Sequence, residues 1–177
     1  LQDGRDQLKG KEEKPMPLLT IRAAELSDVP ILIRHRRMMW WDMGRRDELA
    51  LGLMETAANE YFRNAVADAS YKGFLAEAPS GTVIGGSGIV VSPWPGVWGQ
   101  RQARRAMILN MYVEPEYRRQ GVARALMAAM IAWCKGNQFA SVGLHASEQG
   151  RALYEQLGFR PTDEMRLELK ERQSDKS

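Results

Sequence analysis

The change of period between residues 105 and 135 constrains this chain more than any other feature of it. Arg105–Val113 reads as a strand, rich in apolar and β-forming residues. Pro115 and Glu116 mark a turn. From Gly121 onward the apolar residues fall at Val122, Leu126, Met130 and Trp133, one face of a helix that Gly136 is expected to stop. A strand delivered through a short turn into a helix commits the chain to an α/β arrangement. The turn itself, Arg118–Ala123, has chemical content. A helix beginning near Gln120 leaves its first backbone N–H groups unpaired at the positive end of its dipole. A phosphate group satisfies both conditions. Gly121 removes the Cβ that would block an anion's approach, Ala123 keeps the next turn small, and Arg118, Arg119 and Arg124 add positive charge. The segment is neither a G-x-G-x-x-G dinucleotide loop nor a P-loop, which needs a Lys-Ser/Thr pair. A solvated, Arg-rich turn has the same short pattern, so the surrounding chain must decide.

Leu18–Ala23 reads as a first strand, followed by Ser27 as N-cap of a helix that carries Val29, Leu32, Ile33, Trp40 and Met43 and ends near Gly44. Leu49–Asp68 reads as a second helix. Tyr71–Ala78 and Thr82–Ser92 are strands joined at Pro79-Ser80-Gly81. Gly85, Gly86 and Gly88 within the latter point to a bulge or to close backbone packing. Residues 93–104, with Trp94 and Trp98, form a loop. Ala140–His145 is expected as strand, Gly150–Leu157 as helix, and Phe159–Leu169 as a final strand or strand pair. The order is mixed α/β, with helices covering a twisted sheet. Residues 1–15 are polar and aperiodic and read as a mobile tail outside the fold, 16–170 as a single domain, and 171–177 as a C-terminal tail.

The chain has 177 residues, 44% apolar and 27% charged, the balance of a globular domain. No apolar run reaches the length of about 18 residues that a membrane span requires, and no secretory signal opens the chain, so a cytoplasmic location is expected. Cys134 is the only cysteine, which excludes an intramolecular disulfide and a cysteine-rich metal site; no metal is expected. The net charge of +3 is spread along the sequence, not gathered into a basic run, and suits an anionic cofactor better than nucleic acid.

Two segments in this order carry a resemblance. Arg118-Arg119-Gln120-Gly121-Val122-Ala123 is similar to the R/Q-x-x-G-x-G/A acetyl-CoA motif of the GCN5-related N-acetyltransferase (GNAT) superfamily. Arg151-Ala152-Leu153-Tyr154-Glu155-Gln156-Leu157-Gly158-Phe159 resembles that family's A-x-x-L-Y-x-x-L-G-F segment. The likeness extends over about residues 18–169. It implies a mostly antiparallel twisted sheet of six to seven strands with about four helices, and acetyl-CoA as acyl donor to a primary amine, on a small molecule or a peptide. It also implies that the strand before the motif splays from its neighbour. Met111, Tyr112 and Val113 would then bond the pantetheine arm and polarise the thioester carbonyl, where donors aimed at the developing oxyanion matter most. Arg118, Arg119, Gln120, Gly121, Val122, Ala123 and Arg124 would surround the pyrophosphate. Tyr154 aligns with the family's tyrosine, which protonates the departing thiolate or positions the sulfur.

Two departures stand out. Ser147 occupies a place where relatives often carry an asparagine that contacts the cofactor arm; it serves there or as a helix N-cap. Strand 105–113 holds no Asp, Glu or His, so no general base is assigned, and Glu114 at its end is expected at the surface. His35, Trp40, Trp41 and Asp42 lie where the family's acceptor cleft begins. Of these Trp40 is expected in the core, Trp41 at its edge or in the cleft, and His35 exposed or hydrogen-bonded. His145, ending a strand, is the stronger histidine for function. The aromatic loop allows an acceptor-shaping role or a homodimer contact. The alternative from another class is a non-catalytic acyl-CoA-binding regulatory module on the same fold.

Overall fold

The computed structural model describes residues 18–96, 98, 103–167 and 169. The expected tails, 1–15 and 171–177, lie outside the described residues. The described residues divide into two compact units, one ending at His145 and the other beginning at Ala146.

In the first unit a five-stranded sheet runs β1 (Thr20–Ala23), β2 (Tyr71–Glu77), β3 (Val83–Pro93), β4 (Arg104–Val113) and β5 (Val142–Leu144), in that spatial order. Neighbours are antiparallel as far as β4, and β5 is parallel to β4. The helices are α1 (Val29–Asp42), α2 (Glu48–Ala67) and α3 (Val122–Gly136), with α4 (Glu148–Gln156) in the second unit. The helix count matches the expectation from the resemblance. The strand count does not, since the described residues of 159–169 form no strand. Met165, Leu167 and Leu169 alternate as a strand would, yet all three are exposed. Alternation supplies a face, but a strand also needs a neighbour for its N–H and C=O groups, and among the described residues none pairs with this segment.

Ser27 does not cap α1. It lies in a 3-10 turn, Leu26–Asp28, closed by a reciprocal Glu25–Asp28 capping box. Asp28 is pulled below the usual carboxylate range by Arg22, which grips it at 2.7 and 2.9 Å and also reaches Glu77 at 2.6 Å. That cluster ties the entry of α1 to β1 and β2. Helix α2 is capped by Asp47, whose carboxylate accepts from the Ala50 N–H at 2.8 Å. Helix α1 ends at Asp42, with Met43 as its C-cap before the left-handed Gly44, as its sequence foretells. Helix α3 runs through Gly136; Asn137 is its C-cap, and Gln138, two residues past Gly136, is left-handed at φ 60°.

The helices take opposite faces of the sheet. A Cβ on Gly86 would meet His35 of α1 at 2.8 Å, and one on its neighbour Gly85 would come within 3.3 Å of Val122 of α3. Consecutive strand residues point to opposite faces, so α1 and α3 cover opposite sides. On the α1 side Val29, Leu32, Ala58, Phe62, Ala65, Tyr71 and Leu75 form one buried cluster. On the other, Val122, Leu126, Met127 and Met130 are buried, and Cys134 in place of the expected Trp133 extends the stripe. No helix among the described residues is long and apolar enough to cross a membrane.

Candidate functional site

Strand β4 loses its neighbour on one side partway along. Its pairing with β5 covers Ala106↔Val142, Met107↔Gly143 and Ile108↔Leu144 and goes no farther, while β4 continues to Val113. On that side the backbone of 109–113 therefore has no strand partner among the described residues. Unpaired N–H and C=O groups along an extended edge are a template for another extended, amide-bearing chain. The resemblance implied a splay here, at Met111, Tyr112 and Val113. Met111 is half-buried, and Tyr112 and Val113 are buried. One acceptor is already used, because the Val113 carbonyl takes a hydrogen bond from Arg118 Nε at 2.9 Å.

Past Val113 the chain turns tightly. The Glu114 N–H donates to the Ile84 carbonyl at 3.0 Å, and Pro115–Tyr117 make a 3-10 turn. Arg119 then adopts φ 61° and Gly121 φ 85°. Gly121 is the N-cap of α3, and no side chain among the described residues caps that helix. The first bond of the helix runs from the Ala125 N–H to the Gly121 carbonyl at 3.0 Å. The N–H groups of Val122, Ala123 and Arg124 thus precede the first intrahelical donor, as an anion site requires. The arginines divide in role. Arg118 is drawn toward α1, its Nη2 on Asp42 at 2.6 Å and its guanidinium 5.6 Å from the Tyr112 ring centre, so it braces the turn. Arg119 and Arg124 are exposed beside it. Gln120 turns back to donate to the Glu116 carbonyl at 2.6 Å.

The opposite face of β4 corrects two expectations. His35 is not exposed: it is 1% accessible, and neither ring nitrogen has a hydrogen-bond partner. Burial, reinforced by the nearby Arg34 charge, pushes its pKa down to about 4. It fits there because Gly86 offers no side chain. Nor is Glu114 a plain surface residue. Its carboxylate is hydrogen-bonded to Arg34 and accepts from the Tyr112 hydroxyl at 3.2 Å, and lies 3.9 Å from His35 Nε2. The His35 and Tyr112 rings are 5.1 Å apart.

Between Gly86 and Gly88 the β3–β4 register shifts, so Asn110 and Met111 oppose the single residue Ser87. This is the bulge that the glycines announced. Asn110 sits in it with φ 57°, a conformation asparagine tolerates better than most residues. The Ser87 hydroxyl donates to the Leu109 carbonyl at 2.9 Å across the gap. As a result Leu109 and Asn110, consecutive in sequence, line the same cavity of about 300 Å³. Its walls include Met54, Ala58 and Phe62 of α2, and Arg36 enters it from α1. Arg36 and Asn110 escaped the sequence reading, although an asparagine inside an apolar strand is itself a signal.

In the second unit Ser147 caps α4, accepting from the Gly150 N–H at 3.2 Å. Tyr154 is buried, and burial raises its pKa. Its ring lies 6.1 Å from that of Phe159, edge to face, in space that Gly150 leaves open. His145 is exposed. Trp40 and Trp41 are half-buried, under Arg36 and Arg46 respectively. Trp94 stacks beneath Arg105 at 3.8 Å, while Trp98 is fully exposed; residues 97 and 99–102 of that loop lie outside the described residues. No group of three or more His, Cys, Asp or Glu side chains among the described residues is placed to hold a metal ion.

None of the curated proteins compared with the chain matches it. Solved structures do. A GCN5-related N-acetyltransferase from Ralstonia eutropha JMP134 is 34% identical with a TM-score of 0.79, covering 85% of this chain and 98% of its own. A predicted acetyltransferase from Clostridium acetobutylicum, solved with acetyl-CoA, is 27% identical with a TM-score of 0.77, over 86% and 96% of the two chains. Glucosamine-6-phosphate N-acetyltransferase from Arabidopsis thaliana shares the fold, with a TM-score of 0.61 at 13% identity over 86% and 99%. The model of the acetyltransferase (GNAT) family matches residues 37–159, a segment that contains the β4 edge, the α3 start and Tyr154. The chain belongs to the GNAT acetyltransferase family.

Proposed function

We propose that this chain transfers the acetyl group of acetyl-CoA to a primary amine, with residues 16–170 acting as one acyltransferase domain. The observation that carries this reading is the continuity of an unpaired β4 edge, 109–113, with an α3 start that no side chain caps. The first suits an extended amide arm and the second a pyrophosphate, in the order in which coenzyme A presents them. The acetyl-CoA in the Clostridium acetobutylicum structure supports that choice of donor.

Acetyl-CoA supplies an activated acyl group, on whose carbonyl carbon the amine forms a C–N bond as the C–S bond breaks. The backbone of Met111, Tyr112 and Val113 aligns the pantetheine arm and holds the thioester in place. N–H groups of this strand stabilise negative charge on the carbonyl oxygen. The N–H groups of Gly121, Val122, Ala123 and Arg124 hold the pyrophosphate, with Arg119 and Arg124 adding charge. Arg118 and Gln120 keep the turn in shape through the bonds described above. Tyr154, kept protonated by burial, gives its proton to the leaving sulfur. The proton lost by the amine passes to water. Ser147, whose oxygen already caps α4, keeps its O–H to donate to the cofactor arm.

Release of free thiol from acetyl-CoA, followed across a panel of primary amines, tests the reading. Amine-dependent release that stops with Gly121→Glu supports it. Release that persists in that variant removes the α3 start from the reaction.

A further inference from the structure

Helix α1 carries three arginines in four residues, and their surroundings differ. Arg34 is paired with Glu114, and Arg37 with Glu48 and Glu55. Arg36, the one directed inward, has no carboxylate partner among the described residues. Its Nη1 donates to the Asn110 side-chain oxygen at 2.6 Å, and its guanidinium lies 5.8 Å from the Trp40 ring centre. Burial lowers its pKa, the mark of a cation deprived of water without full compensation. A half-buried cation of this kind is costly unless something supplies the missing charge.

The cavity that Arg36 enters is mostly apolar, walled by Met54, Ala57, Ala58, Phe62 and Leu109, with Tyr61 beside them. Asn110 lines it too and is 6% exposed, its side-chain oxygen taken by Arg36 and its amide set near the Tyr71 hydroxyl. The polar end therefore offers donors, the guanidinium N–H groups that Asn110 does not use. It lacks a negative acceptor. The bulge sets this donor end one residue before Met111, where the proposed thioester-holding backbone begins.

We infer that this cavity binds a carboxylate on an apolar framework, with Arg36 as its counter-ion, and that the acetyl acceptor is an amine of amino-acid type. The acceptor part rests on the transferase reading above; the binding part does not. A planar guanidinium in a low-dielectric site selects a carboxylate over a neutral isostere of the same shape. An apolar wall of this size accommodates a small aliphatic or aromatic body better than a sugar or a polyamine.

Calorimetry with 4-phenylbutyrate and with 4-phenylbutanamide separates the two parts, since neither probe carries an amine. The wild type should prefer the acid by roughly tenfold to a hundredfold, the range for a charge-assisted hydrogen bond. Arg36→Gln should abolish the preference, and Arg36→Lys should keep part of it, with far-UV circular dichroism and melting confirming that both fold. Equal binding of acid and amide, a preference that survives Arg36→Gln, or no binding of either compound overturns the inference. Thiol release with phenylalanine and with phenylalaninamide then reads the acceptor. A KM at least about tenfold lower for the acid, lost in Arg36→Gln, supports it. Release that ignores the carboxylate overturns the acceptor assignment and leaves the transferase reading intact. Acid binding without thiol release from any amine supports the carboxylate site and tells against the transferase reading.

Discussion

Helices α2 and α3 begin in opposite ways. At α2 the protein provides its own anion: Asp47 accepts from the Ala50 N–H, and Glu48 adds charge in the first turn. At α3 there is no acidic residue in the first turn and no side-chain cap, and the N-cap is a left-handed glycine. Both ends carry the same partial positive charge. One is stabilised at home and contributes to folding. In the proposed reading the other is left for a visitor, and the stability forgone there becomes binding energy for an anion. The same division runs along β4, whose α1 side is laced by Arg34, Glu114, Tyr112 and Arg118 while its far edge from 109 to 113 has no strand partner among the described residues.

The largest effect should come from giving α3 what α2 already has. Gly121→Glu places a carboxylate at the open end and forces a side chain into φ 85°. Affinity for coenzyme A measured by calorimetry should fall about a thousandfold, the worth of several charge-assisted N–H contacts. Undiminished affinity would erase the contrast between the two helix starts.

Next comes the laced side of β4, where His35 is the exception. Its folded pKa of about 4 lies below the ordinary 6.5, so between those values the unfolded chain binds the extra proton. Stability from this residue is therefore fully present above about pH 6.5 and declines as pH falls toward 4, by up to about 3 kcal/mol. Urea melts across that window should show the decline, and His35→Leu should flatten it. A curve unchanged by the substitution means that another group sets the slope.

A third prediction concerns α4, which is capped like α2 but is proposed to act through Tyr154. Tyr154→Phe should lower kcat by about tenfold to a hundredfold with the acetyl-CoA KM little changed. Loss of KM alone would make the hydroxyl a binding group. The smallest effect belongs to Asp47→Ala, which should cost about 1 kcal/mol of stability by thermal melting and leave coenzyme A affinity where it was. If affinity fell with it, the α2 start would be part of the binding site after all.

Much of this was legible in the sequence, because the relevant features are local. The junction at 113–122 announces itself by a change of period, and the cap at Ser147 and the bulge near Gly86 by residue type. What escaped is long-range. His35 is three residues from Leu32 and shares its buried face, but only the missing side chain of Gly86, far along the chain, makes room for the ring. Glu114 reads as a turn residue until Arg34 and Tyr112 are seen to converge on it. Arg36 looks like any basic residue of an amphipathic helix, and its lack of a carboxylate among the described residues is a property of its neighbours. The strand expected within 159–169 failed for the same reason, since alternation cannot name a partner.

The bulge at Asn110 has one more consequence. Gly86 faces Tyr112 and Gly88 faces Leu109, so the pairing on either side is complete without the extra residue. The ladder spans the position, while its φ of 57° favours asparagine or glycine there. A chain shortened by Asn110 alone should keep its ladder and its melting cooperativity while losing the polar floor of the cavity. In the proposed reading, the residue beside the acceptor is an insertion that the ladder spans, and its chemistry can change among residues that tolerate φ 57° without a new register in the sheet.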